Sequence, residues 1–252
     1  MSSTRPLEKE NAPVLESEIY QRVVAAMLDH RLPPGTKLVE DRLATAFGVS
    51  RTRIRPVLVR LANEQVVTLT PNRGAMVAQP TEREAREVFE MRRMIEPFLI
   101  EYFIAQALPA DLATLTQCIT HEEQAREGGD LRRAVRMSGD FHLHIASASG
   151  HQTLGRILRE LVPRTSLILM TYSTSHSRET SQAATCRCQE HRALLDAIRL
   201  RDPREASHLM REHLVQLESQ LRFTPPPAEA PDLVSLFGQA GPARLAHQFV
   251  TG

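Results

Sequence analysis

At 252 residues the chain is long enough for two domains or one large one, and its 42% hydrophobic and 24% charged residues are the composition of a soluble globular protein. Three cysteines, Cys118, Cys186 and Cys188, are odd in number and too few for a disulfide scaffold, which points to a reducing cytoplasm. No apolar run approaches the roughly 20 residues needed to cross a bilayer and no signal-like core opens the chain, so no membrane partner is expected and the location is read as cytoplasmic.

The net charge of +1 hides an uneven distribution. Residues 1 to 80 carry a net +3 and residues 81 to 252 a net −2, and within residues 50 to 73 there are five arginines to one glutamate. A local basic patch on a near-neutral protein implies a dedicated anion-binding surface.

In chain order, residues 1–13 read as disordered. A first helix is predicted from about Leu15 to His30, with Leu15, Ile19, Val23, Ala26 and Met27 on one face, and Leu32-Pro33-Pro34-Gly35 stops it. A short helix from about Glu40 to Phe47 follows. After Gly48-Val49, Ser50 is placed as the N-cap of a helix whose first turn holds Arg51, Arg53 and Arg55. Cations at a helix N-terminus work against its dipole, so a negative partner is expected there. Ile54, Leu58 and Leu61 form the stripe that holds this helix down. Val66 to Thr70 and Ala75 to Ala78, joined by Pro71-Asn72-Arg73-Gly74, read as a hairpin with a basic tip, and residues 14–79 together as a winged helix-turn-helix.

From residue 82 to 222 there is almost no strand signal. Helices are predicted at about 82–107, 110–126, 130–149, 151–173, 181–200 and 203–222, separated by Leu108-Pro109, Gly128-Gly129, Gly150, a Ser/Thr-rich stretch and Asp202-Pro203. The fold class is therefore mainly α, a winged helix-turn-helix followed by an all-α bundle, and a bundle core is a common place for a ligand or metal. Residues 223–252 read as a Pro-rich tail with a loosely docked segment at Leu233 to Phe237.

These residues resemble the GntR superfamily of bacterial transcription regulators, in its FadR-type branch with an FCD effector domain. The N-terminal likeness runs through Leu32-Pro33-Pro34-Gly35, Leu43-Ala44, Phe47 to Thr52, Arg55 and Asn72-Arg73-Gly74. The C-terminal likeness runs through Glu90-Met91-Arg92, Glu96-Pro97, Phe141-His142, Ala148-Ser149-Gly150, Glu190-His191-Arg192 and His213-Leu214. The resemblance implies a homodimer that binds a double-stranded DNA operator and senses a small-molecule effector. It places the DNA contacts on Ser50, Arg51, Thr52, Arg53 and Arg55, with Arg73 and Gly74 at the wing tip. Arginine suits guanine in the major groove and, at a hairpin tip, the narrow minor groove. Two departures stand out: Asp41 occupies a position where some members carry a DNA-facing arginine, so selection by repulsion is expected there. Pro56 inside the recognition helix should kink it.

The resemblance also implies a divalent metal held by an aspartate and three histidines, here His142, His191 and His213 on three different helices. Imidazoles suit zinc or nickel. The aspartate position, four residues before His142, is Ser138. Asp140 lies about 200° round the helix from His142 and should point away. Three neutral imidazoles leave the ion its full charge, so an effector carboxylate is the expected ligand at the open positions. The alternatives are a metal-free pocket in which the histidines bond the effector directly, and histidines with a structural role only. Arg92 matches an arginine of the first sensor helix and, like Arg164 beside Thr165 and Ser166, is placed either on the effector with Ser138 or in a salt bridge. Cys186-x-Cys188-x-x-His191 resembles half of a metal motif without its second pair.

The reading is an effector-controlled regulator, a repressor, and no enzyme. Two rivals are a metal-dependent enzyme using the three histidines, against which no general base stands beside them, and an architectural DNA binder with no ligand.

Overall fold

The computed structural model describes residues 15–71, 74–173 and 181–223, and for residues 181–188 the backbone alone. Among these residues the head consists of α1 (Glu16–Leu28), β1 (Lys37–Leu38), α2 (Glu40–Phe47), α3 (Arg51–Asn63), β2 (Val67–Thr70) and β3 (Gly74–Val77). The bundle consists of α4 (Glu82–Gln106), α5 (Pro109–Glu127), α6 (Leu131–Ala148), α7 (Gln152–Tyr172), α8 (Ser181–Arg199) and α9 (Pro203–Ser219). The molecule is mainly α-helical, with one three-stranded antiparallel sheet in the order β1-β3-β2.

The head closes on one apolar core. Ile19, Val23, Ala26 and Met27 of α1 meet Leu43 and Phe47 of α2, Ile54, Leu58 and Leu61 of α3, and Val67, Ala75 and Val77 of the sheet. Leu15 does not join its predicted face, because it precedes the helix and is 63% exposed. Gly48 closes α2 with φ 65°, a left-handed turn that a side chain would strain, and so sets the angle between α2 and α3. The hairpin pairs Val67 with Val77 and Thr70 with Gly74, and β1, two residues long, adds Lys37 against Met76. The expected kink at Pro56 does not divide α3, which is continuous from Arg51 to Asn63. Pro56 and Thr52 are both exposed, so water can serve the carbonyl that loses its donor.

The bundle helices carry their own start signals. Thr81 and Glu84 form a reciprocal capping box at α4, and Asp202 accepts from the Arg204 and Glu205 amides before Pro203 at α9. Gly139 lets α6 approach α7 closely, since a Cβ there would lie 3.2 Å from Val162 Cγ1.

Head and bundle are packed together. Leu167 of α7 enters the head core and Leu28 of α1 enters the bundle core. Tyr172 donates to the Pro80 carbonyl at 2.6 Å, and Arg136 of α6 pairs with Asp29 at 3.3 Å. At the same junction His30 has its Nε2 buried without a hydrogen-bond partner. Burial, aided by Arg132 and opposed by Asp29, lowers its pKa to about 4. A histidine depressed in the fold is charged more readily when unfolded, so its contribution is full above about pH 6.5 and is lost as pH falls toward 4. Urea unfolding at pH 7 and 5.5 should show about 1 kcal/mol lost from this group, and His30→Gln should flatten that part of the profile.

The expected disorder of residues 1–13 and the tail segment at Leu233 to Phe237 lie outside the described residues.

Candidate nucleic-acid interface and metal centre

On the head, the amino end of α3 carries Arg51, Thr52 and Arg55 on an exposed surface, with Arg53 half-buried behind them. Ser50 occupies the N-cap position with extended backbone, but its side chain makes no capping hydrogen bond. The predicted serine cap is thus corrected: Ser50 holds the cap position and its carbonyl accepts from the Arg53 amide at 3.0 Å, but its hydroxyl serves no amide of α3, which leaves that hydroxyl as a donor for a phosphate. The expected negative partner of the arginines is present within the chain. Arg51 Nε pairs with Asp41, and Arg55 Nε donates to Glu40 at 2.9 Å. Asp41 therefore acts as a neighbour to Arg51 as well as a charge facing the solvent. Gly74 opens β3 with φ 85°, which a side chain would strain. Arg73 lies outside the described residues.

In the bundle, His142 of α6, His191 of α8 and His213 of α9 converge, their ligand atoms within 4.8 Å of one another, and all three side chains are buried. Each ring is held through Nδ1 by a carboxylate: His142 by Glu96 of α4 at 2.5 Å, His191 by Glu122 of α5 at 2.7 Å, and His213 by Glu190 at 2.7 Å. An ionised carboxylate accepts only, so each Nδ1 carries the hydrogen and each Nε2 presents a lone pair. The Nε2 atoms of His142 and His191 are buried without a hydrogen-bond partner. Phe141 stacks on His191 with centroids 4.6 Å apart and closes the site on one side.

Two arginines keep Glu96 and Glu122 charged. Arg92 pairs with Glu96, both in the interior, and Arg126 pairs with Glu122 at 2.6 Å. Burial would raise the Glu96 carboxyl, but Arg92 and His142 outweigh it and hold it at about 2. Glu122 is likewise held at about 2 by His191 and Arg126 against its burial. Burial pushes His142 below the ordinary histidine range, toward the neutral ring that a metal requires.

Other expected residues fall in different places. Arg92 is an ion-pair partner with one nitrogen, Nη2, buried and without a hydrogen bond. Ser138 is half-buried one turn before His142. Asp140 is engaged by Arg136 at 3.2 Å. Arg164 lines a cleft of about 390 Å³ between the hairpin, α4 and α7, with Leu69, Gln79 and Glu84, whose lining includes none of the three histidines. The side chains of Cys186 and Cys188 lie outside the described residues. Glu96, Glu122 and Glu190 were not anticipated from sequence. Two of them stood in plain i, i+4 pairings, Arg92 with Glu96 and Glu122 with Arg126, but such pairs are usually solvated.

Among the described residues no helix is long and apolar enough to cross a membrane. The family model "Bacterial regulatory proteins, gntR family" matches residues 15–77, and the FCD domain model matches residues 87–216. The chain is 25% identical over 187 residues to the HTH-type transcriptional regulator McbR of Escherichia coli (strain K12), covering 73% of this chain and 82% of that one. It is 24% identical over 185 residues to the gluconate operon transcriptional repressor of Bacillus subtilis (strain 168), covering 73% and 74%. The solved structure of E. coli McbR/YncC superposes with a TM-score of 0.73 at 22% identity, over 81% of this chain and 94% of that one. The chain belongs to the GntR family of bacterial regulatory proteins and carries an FCD domain: it is a transcriptional regulator, not an enzyme.

Proposed function

We propose that this regulator is a homodimeric repressor whose operator affinity is set by a small carboxylate-bearing metabolite, bound beside a divalent cation, zinc or nickel, on His142, His191 and His213. The carrying observation is the set of three buried imidazoles whose inner nitrogens are tied to Glu96, Glu122 and Glu190 and whose outer nitrogens converge. Carboxylate–histidine pairs of this kind fix the tautomer and raise ligand basicity. A cation bound there supplies an electrophilic anchor for a carboxylate. Arg92, with one buried nitrogen unpaired, is a second donor close to that region through Glu96 and His142.

A route from this site to the head supports control of DNA affinity. The α6 helix that holds His142 also holds Arg136, whose guanidinium bridges Asp140 and Asp29 at the end of α1. A displacement of α6 therefore loads the head directly. A coupling of about 1 to 3 kcal/mol would give a 5- to 150-fold change in affinity.

The dimer is supported by α4, where Met91, Met94, Phe98 and Tyr102 are 40%, 67%, 43% and 45% exposed. Their spacing at i, i+3, i+7 and i+11 makes one apolar stripe, which a second copy of the chain would cover. The name of the B. subtilis relative supports the repressor reading.

Elemental analysis with native mass spectrometry should find a dimer with one divalent ion per chain. In zinc titrations Glu122→Gln, which leaves every histidine in place, should weaken binding by about 10- to 100-fold. A protein that purifies without metal and binds zinc no better than His191→Ala would overturn the metal centre, and a monomeric mass would overturn the dimer.

A further inference from the structure

The ion pair between Asp41 and Arg51 has no evident purpose in the fold. Asp41 sits in the first turn of α2 and Arg51 in the first turn of α3, and their side chains are 56% and 60% exposed. Pairs this exposed contribute little to stability. Their position, on the surface that faces DNA, is where such a pair has consequences. Arg51 meets Asp41 through Nε, the inner nitrogen of its fork, and its side chain is otherwise open to solvent. The outer edge is thus held in one direction, which removes much of the freedom an arginine loses when it docks on guanine O6 and N7. The partnered oxygen of Asp41 is Oδ1, and Oδ2 has no hydrogen-bond partner among the described residues.

We infer that Asp41 is a specificity-determining residue, which directs Arg51 to a guanine edge and itself accepts from the exocyclic amine of a cytosine beside it. A carboxylate at this point is repelled by phosphates and by the acceptor atoms of guanine and thymine, and is satisfied in the major groove by an amine. A G·C pair offers both halves, acceptors on the purine and a donor on the pyrimidine. The negative charge also lowers affinity for duplex of unrelated sequence, so Asp41 gives up general attraction in exchange for discrimination. The Glu40–Arg55 pair next to it, also made through Nε, repeats the arrangement one turn along α3.

This inference rests on the head being the DNA-binding element, and the test separates the two. The full-length protein and its Asp41→Ala and Arg51→Ala variants are each used to select binding sites from a random-sequence duplex library. Affinity for an unrelated duplex is then measured across salt concentrations. The wild-type motif should hold a guanine whose preference disappears in Arg51→Ala. Asp41→Ala should reduce discrimination at the neighbouring or paired cytosine by about 10-fold, bind unrelated duplex more tightly, and show a salt slope steeper by about 1. An Asp41→Ala motif and salt slope equal to those of the wild type overturn the inference while leaving DNA binding intact. A wild-type protein that selects no motif overturns both.

Discussion

Glu96→Ala should destabilise the protein by about 3 to 5 kcal/mol, the cost of stranding a buried charge whose partner is removed. Arg92 is 2% exposed and its pairing with Glu96 is its only salt bridge among the described residues, while one of its nitrogens already lacks a hydrogen bond. The same carboxylate accepts from His142 Nδ1 at 2.5 Å, so its loss also frees the ring to rotate or change tautomer. Two effects are therefore superposed, and a second variant separates them. Arg92→Met with Glu96→Gln removes the stranded cation and keeps an acceptor for His142, and should recover most of the stability. Urea unfolding at pH 7 measures both. A single-variant loss below about 1 kcal/mol would mean that water reaches Arg92 and that the pair is not the buried structure described.

The features legible in the sequence were those that local chemistry dictates. Ile54, Leu58 and Leu61 are apolar at helical spacing and are all buried. The family resemblance brought together His142, His191 and His213, which lie on three separate helices and share one cluster in space. The carboxylates behind them were not legible. Glu96 and Glu122 differ from the solvated Glu82 and Glu87 only in the direction their helix face points, which depends on how α4 and α5 pack. The strand at Lys37–Leu38 was missed because two residues carry no period and pairing with β3 alone defines them. Ser50 has the residue type and position of a cap, yet a capping hydrogen bond also needs the right rotamer, and this side chain makes none. The acids facing Arg51 and Arg55 were half legible: an anion was expected from the helix dipole, and the fold supplies Asp41 and Glu40 before any nucleic acid arrives.

Reversing the charge at two positions, Arg51→Glu with Arg55→Glu, should weaken binding to the selected duplex by about 10²- to 10⁴-fold, from two contacts worth about 1 to 3 kcal/mol each. The fold should tolerate the change. Both side chains are exposed, at 60% and 66%, and an acidic residue at position 51, in the first turn of α3, suits the helix dipole better than an arginine does. Repulsion from Asp41 and Glu40, now unpaired, partly offsets that gain, so the unfolding free energy should stay within about 1 kcal/mol of the wild type. The four clustered carboxylates would then face the phosphates, and the salt dependence of binding should become shallower by about 2. Fluorescence anisotropy with a labelled duplex at several salt concentrations reads both quantities. If affinity and slope stayed within twofold of the wild type while the variant remained folded, the amino end of α3 would not be the surface that meets DNA, and the assignment of Ser50, Thr52 and Arg53 to that surface would fall with it.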